Sequence, residues 1–241
     1  TSTVDVYIPN VANLPAINAG ATSVSCKSIT INSGATLTLA NTYTLSVYGN
    51  FTNNGTFTAN SGSKVNFTAS SIAQSITGTS ATTFFDLEIN NTSATGVTLS
   101  QSAIVNNILT LTDGIVFTDA INILTLMDNA TVSPATGGVA GSYVDGPVKK
   151  TGNDAFVFPL GDFTDSRWAP LGISAPTTAT TEYTAEYFSD PYSNLNVDAT
   201  LIDVSGNEYW TLSQAVNNDD VFVTLYWKNA GISGIDDCPD L

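Results

Sequence analysis

The 241 residues predict an all-β protein: a right-handed parallel β-solenoid followed by an antiparallel β-sandwich-like region. Three observations carry that expectation. One word, apolar–small polar–apolar, recurs as Ile29-Thr30-Ile31, Leu37-Thr38-Leu39, Leu45-Ser46-Val47, Val65-Asn66-Phe67, Leu87-Glu88-Ile89, Val97-Thr98-Leu99, Leu109-Thr110-Leu111 and Leu124-Thr125-Leu126. Such alternation puts both apolar side chains on one strand face and the polar one on the other. Comparable words return at Ile29, Leu45, Val65, Leu87, Leu109 and Leu124, a spacing of roughly 15 to 22 residues. Spacing of that size is the mark of stacked coils that bury their inner faces against one another. Finally, no stretch carries an apolar stripe of helical period long enough for an ordinary helix.

Residues 1–27 are expected to cap the first coil. Val4, Val6 and Ile8 alternate as a strand, Pro9 and Pro15 interrupt it, and a solenoid end is an open sheet edge that needs cover. Residues 28–153 are the solenoid proper. Its corners are written as Asn32-Ser33-Gly34, Asn53-Asn54-Gly55, Ser61-Gly62-Ser63 and Asp113-Gly114, where Gly and Asn supply positive φ. Phe51, Phe57 and Phe67 face inward and are expected to stack coil upon coil. The loop from Ser133 to Gly141, rich in Gly and interrupted by Pro134, reads as an exit from the regular coils.

Residues 154–241 form the predicted sandwich-like domain. Fourteen of the 21 acids lie there, opposed only by Arg167 and Lys228, so this part carries −12 against −3 for the rest. Strands are read at Glu182 to Phe188, Glu208 to Leu212 and Val221 to Trp227, separated by Asn-rich turns. In the last of these, Val221, Val223, Leu225 and Trp227 share one face, and Phe222, Thr224 and Tyr226 the other. The segment from Asn229 to Leu241 reads as a connection to a further strand, so the domain is expected to be truncated, with Cys238 lacking a partner inside it.

Composition excludes several functions. The net charge is −15, with only six Lys and Arg, so no basic stripe exists to hold a phosphate backbone or an anionic membrane surface. No apolar run approaches the roughly 18 residues of a membrane span. The chain has no His, the commonest general base and metal ligand. Cys26 and Cys238 are far apart in sequence and make no zinc or redox motif; one disulfide or two separate buried thiols remain open. Acidic, Thr/Asn-rich, Cys-poor and all-β, the sequence reads as extracellular and bacterial.

The progression from Cys26 to Leu37, Gly49-Asn-Phe-Thr-Asn-Asn-Gly-Thr-Phe57, Gln74-Ser-Ile-Thr-Gly78, Asp86-Leu-Glu-Ile-Asn-Asn91 and Leu109-Thr-Leu-Thr-Asp-Gly114 resembles the β-solenoid modules of very large Bacteroidota cell-surface proteins. Gly146-Pro-Val-Lys-Lys-Thr-Gly152 and Phe156-Val-Phe-Pro-Leu-Gly-Asp162 are similar to the sequence that follows that module. Glu208-Tyr-Trp-Thr-Leu212 and Val221-Phe-Val-Thr-Leu-Tyr-Trp227 resemble its adjoining sandwich. The resemblance implies export by the type IX secretion system and a role in adhesion, surface gliding or display. Its partners would be a surface glycan or neighbouring domains of the same polypeptide. The sorting domain that usually directs such export is not among these residues.

The function expected from these features is a non-catalytic structural or adhesive surface module. The alternative is a carbohydrate-active β-helix enzyme, a polysaccharide lyase or glycosidase. Glycoside hydrolysis needs two carboxyls roughly 5 to 10 Å apart, for which Asp162 and Asp165 are the candidates. A lyase base would come from Lys149, Lys150 or Arg167, although Arg167 beside Trp168 reads better as a structural guanidinium, paired with a carboxylate and stacked on an aromatic. Calcium is the one cofactor considered: its oxygen ligands would be drawn from Asp162, Asp165, Asp219, Asp220, Asp236 and Asp237, although no fixed ligand spacing links them. Ice binding is disfavoured, because coil lengths vary and Asn66 and Glu88 interrupt the outward Thr array. Tyr43, Tyr48 and Tyr192 are aromatics suited to stacking on sugar rings.

Overall fold

The repeated words become strands stacked in parallel, one coil above the next, in a computed structural model that describes residues 2–196, 204–228 and 230–234. The fold is all-β, a parallel solenoid of about seven coils. Each early coil lays three short strands on three walls. The first wall runs Val6–Ile8, Ile29–Ile31, Phe51–Asn53, Gln74–Gly78, Val97–Leu99, Val116–Phe117, Val144–Asp145 and Leu160–Asp162, parallel throughout. The second has Ala16–Ile17, Thr36–Leu39 and Thr56–Ala59. The third begins with Ser23–Cys26, Thr44–Val47, Lys64–Ala69, Thr82–Asn91 and Ala103–Asp113 and continues through Leu124–Leu126 to Val148–Thr151.

The inner face is as the words require. Leu37, Leu39, Leu45, Val47, Leu109, Leu111, Leu124 and Leu126 are all buried in one continuous core that runs from Ile8 to Tyr187. The repeat, however, is drawn from three separate ladders. Leu45 stands opposite Val65, then Leu87, Leu109 and Val132, whereas Ile29 stands opposite Phe51 on another wall and Leu124 opposite Ala103. Every wall imposes the same alternation, so words from different walls look alike in sequence.

The same geometry corrects the aromatic stack. Phe51, Phe57 and Phe67 lie on the first, second and third walls, and they meet Phe84 in the interior. Ring centroids are 5.1 Å apart for Phe51–Phe57, 5.7 Å for Phe51–Phe84 and 6.3 Å for Phe67–Phe84, mostly edge-to-face. They form a cluster across the coil because successive strands of one coil face a common centre.

The boundaries also move. Residues 6–26 supply three strands that pair in parallel with the next coil, so the expected cap is itself a coil. Parallel pairing continues past residue 153 to Leu160–Asp162, and the Ser133-to-Gly141 loop is an excursion after which the first wall resumes at Val144–Asp145. Antiparallel pairing then grows directly on the third wall: Glu182–Phe188 adds to Val148–Thr151, and Tyr209–Val216 adds to Glu182–Phe188. A separate antiparallel sheet holds Phe156–Phe158, Leu171–Ile173 and Val223–Leu225. Within the predicted strand Val221 to Trp227, only Val223–Leu225 is paired, and its side chains are exposed, as is the neighbouring Phe222.

Polar groups close the corners inside. Buried Gln74 donates through Nε2 to the carbonyls of Val47 (2.7 Å) and Gly49 (2.8 Å). Asn91 donates to Gln74 Oε1 (3.0 Å) and accepts from the Ser93 amide (2.8 Å). Coil backbones that must bend and approach each other there find side-chain partners instead of water. Gly114 shows how tight a corner is: its φ is +93°, and an added Cβ would run into the Asn91 carbonyl. Gly114→Ala is therefore expected to lower stability by about 1–3 kcal/mol, read as a fall in the denaturation midpoint. An unchanged midpoint would show that the corner yields.

Candidate functional site

Chemistry-bearing side chains gather where the solenoid ends. Leu160–Asp162 turns back through residues 163–166 to Arg167–Trp168 as an antiparallel hairpin. Beside it, Glu182–Phe188 alternates inward Tyr183, Ala185 and Tyr187 with outward Thr184, Glu186 and Phe188. In the register with Tyr209–Val216, Tyr187 opposes Trp210 and Phe188 opposes Tyr209. The Phe188 and Tyr209 rings are stacked (4.5 Å, 10°), and Tyr192 stands edge-on to Tyr209 at 5.1 Å.

Behind this aromatic wall sits Glu208, only 3 % exposed. Its Oε2 accepts the Tyr187 hydroxyl at 2.5 Å, while Oε1 is shielded from solvent and has no hydrogen-bond partner among the described residues. Arg167 donates to the Asn207 carbonyl (3.4 Å), and its cationic form is favoured first by Tyr187, then by the charges of Asp165 and Glu208. Of the expected guanidinium, paired with a carboxylate and stacked on an aromatic, the stacking on neighbouring Trp168 is corrected: Lys228 lies over the Trp168 ring, 4.1 Å from its centroid. The strand at Arg167–Trp168 sends these neighbours to opposite faces, which forbids the stacking. Desolvation lowers the Lys228 pKa, and the Glu208 charge opposes that shift.

The acids expected to bind calcium separate. Asp162 and Asp165 come together: Ser189 Oγ lies 2.8 Å from Asp162 Oδ2 and 2.7 Å from Asp165 Oδ2. Asp162 Oδ1 also accepts the amides of Thr164 (2.8 Å) and Asp165 (3.3 Å), a turn-closing pattern. Asp219 belongs to another loop, where it accepts the hydroxyls of Thr177 and Thr181, which hold its carboxyl below the usual range. Asp220 is exposed beside it. Asp236, Asp237 and Cys238 lie outside the described residues. Among the described residues, no three His, Cys, Asp or Glu side chains converge as a metal-binding group.

The basic residues are each engaged. Lys149 pairs with Glu182 at 2.9 Å. Lys150, 2 % exposed, donates to the carbonyls of Met127 (2.7 Å) and Thr151 (3.0 Å) and to Asp154 (3.1 Å). Three ammonium protons meet three acceptors, which is how a buried cation is retained. Tyr43 and Tyr48 sit on the solenoid away from this end, whereas Tyr192 joins the aromatic wall. Sequence reading passed over Glu208, although an acid abutting Tyr209-Trp210 at the start of an uncharged strand was the available signal.

The chain matches no family model, no curated protein and no solved structure. Among the described residues, no helix is long and apolar enough to cross a membrane.

Burial leaves a pH signature. Desolvation raises the Cys26 thiol from 9.0 to about 11 and the Tyr143 phenol from 10.0 to about 12, and burial raises Tyr187 as well. The unfolded chain releases these protons first, so the folded state binds more of them and stability falls as pH rises. The loss is expected to begin near pH 9.0, the unperturbed thiol value, and to continue to about 12. Melting temperatures measured across that range should decline, and Tyr143→Phe should flatten the part above 10.0. A flat profile would contradict the burial of these groups.

Proposed function

We propose that this chain is a non-catalytic structural and adhesive module of a large extracellular bacterial surface protein. The observation that supports it most is the unbroken parallel wall from Val6–Ile8 to Leu160–Asp162, carried by backbone hydrogen bonds over one continuous core. Such a ladder is a stiff spacer, since each coil is held to the next along several strands. Thr30, Thr52, Thr77 and Thr98 give its middle coils small, uncharged outward positions, with Tyr7 before them and Phe117 and Asp145 after them. Among the described residues, Asp119, Asp154 and Asp219 close turns and loops, and Lys149 and Lys150 are held in internal contacts.

The test is incubation with a panel of plant, algal and bacterial polysaccharides, followed by assay for reducing ends and unsaturated products. No product release is expected. Turnover abolished in the Asp162→Ala, Asp165→Ala variant would overturn the reading in favour of a carbohydrate-active enzyme. Calcium enters this reading as a bridge across Asp162 and Asp165 at Ser189. A calcium titration followed by thermal melting tests that bridge, with a rise in melting temperature that Asp165→Asn removes as the supporting result.

A further inference from the structure

Glu208 poses a physical problem. A carboxylate oxygen shielded from water and lacking a donor is costly, and native structures rarely leave one without a reason. Tyr187 satisfies only the other oxygen. Glu208 also lines a cavity of about 520 Å³, shared with Tyr192, Ser205, Tyr209, Trp210 and Ser213. That volume lies within the range of small-ligand sites, roughly 300–1,000 Å³. The mix of aromatic walls, hydroxyls and one carboxylate is what an amphipathic ligand of many hydroxyls needs.

The geometry points to a neutral-sugar subsite in this cavity, with Glu208 accepting ligand hydroxyls and Tyr192 and Tyr209 packing against the sugar ring. It rests on the adhesive reading above and gives that reading a place on the molecule. Oε1 is closed to solvent, and the soft terminal torsion of a glutamate is what would turn it toward a donor entering the cavity. A cationic ligand is disfavoured because Arg167 and Lys228 already bear on the Glu208 charge. An acidic sugar is opposed by the chain's net charge of −15. The stack of Phe188 on Tyr209, both on paired strands, is an ordered face with Tyr192 edge-on beside it, so little ordering is needed there on binding.

The experiment is a titration of the 241-residue chain with the methyl glycosides of glucose, galactose and mannose and with N-acetylglucosamine. The readout is intrinsic tryptophan fluorescence, to which Trp210, lining the cavity, contributes alongside Trp168 and Trp227. Methylammonium and glucuronate are the comparison probes. At least one neutral sugar should give a saturable change. Tyr192→Ala, at a side chain 51 % exposed, should weaken that binding about tenfold without altering the melting curve, and Glu208→Gln should weaken it too. No saturable response to any neutral sugar overturns the subsite, as does binding unchanged in both variants or confined to methylammonium or glucuronate. If no sugar binds and no polysaccharide is cleaved, the subsite falls and the module reading stands. Cleavage overturns the module reading even where a sugar binds here.

Discussion

Leu124→Asp unfolds the protein, whereas Thr125→Asp, one residue along the same strand, leaves it folded. Leu124 is fully buried, with Ala103 on one side and Val148 on the other, both fully buried themselves. The inward cation of the neighbouring strand, Lys150, is already taken up by Met127, Thr151 and Asp154, so a carboxylate at position 124 would go unpaired. An unpaired charge in such a place costs more than about 4 kcal/mol, a large part of the roughly 5–15 kcal/mol that holds a domain together. Thr125 points outward between Ile104 and Lys149, where a carboxylate stays hydrated and faces an ammonium. Circular dichroism and urea titration separate the two variants. Equal stability of the pair would mean that the alternation does not assign inside and outside.

Phe84→Ala is the second large effect, expected at about 3–5 kcal/mol. Phe84 is fully buried and touches three rings drawn from three walls: Phe51 at 5.7 Å, Phe57 at 5.9 Å and Phe67 at 6.3 Å. Its removal opens a cavity at the point where the walls meet, and backbones tied by parallel ladders above and below cannot collapse into it. Combining Phe84→Ala with Phe51→Ala should cost less than the sum of the two, because both remove the same contact. A loss under about 1 kcal/mol would show that the centre repacks. Urea denaturation with a check on the m-value distinguishes these outcomes.

The alternation in words such as Leu109-Thr110-Leu111 decided by itself that the chain is all-β, which side chains face inward and that coils stack. Those properties depend on a local period of two, and local patterns survive in a linear string. Asp113-Gly114 likewise marked a corner, because positive φ is a property of single residues. Which words stack on which was not legible. Leu45 belongs with Val65 and Ile29 with Phe51, and only the bending of each coil into several walls sorts them. For the same reason the cap proved to be a coil and the aromatic ladder a cluster. The site depended still more on the tertiary structure. Asp162 and Asp165 are close in sequence, but Ser189, which joins them, arrives from just past the end of the strand Glu182–Phe188. Glu208 meets Tyr187 through antiparallel pairing, with Arg167 brought in by the hairpin beside it. Burial turns an ordinary glutamate into an unsatisfied one, and burial is created by the packing of distant segments.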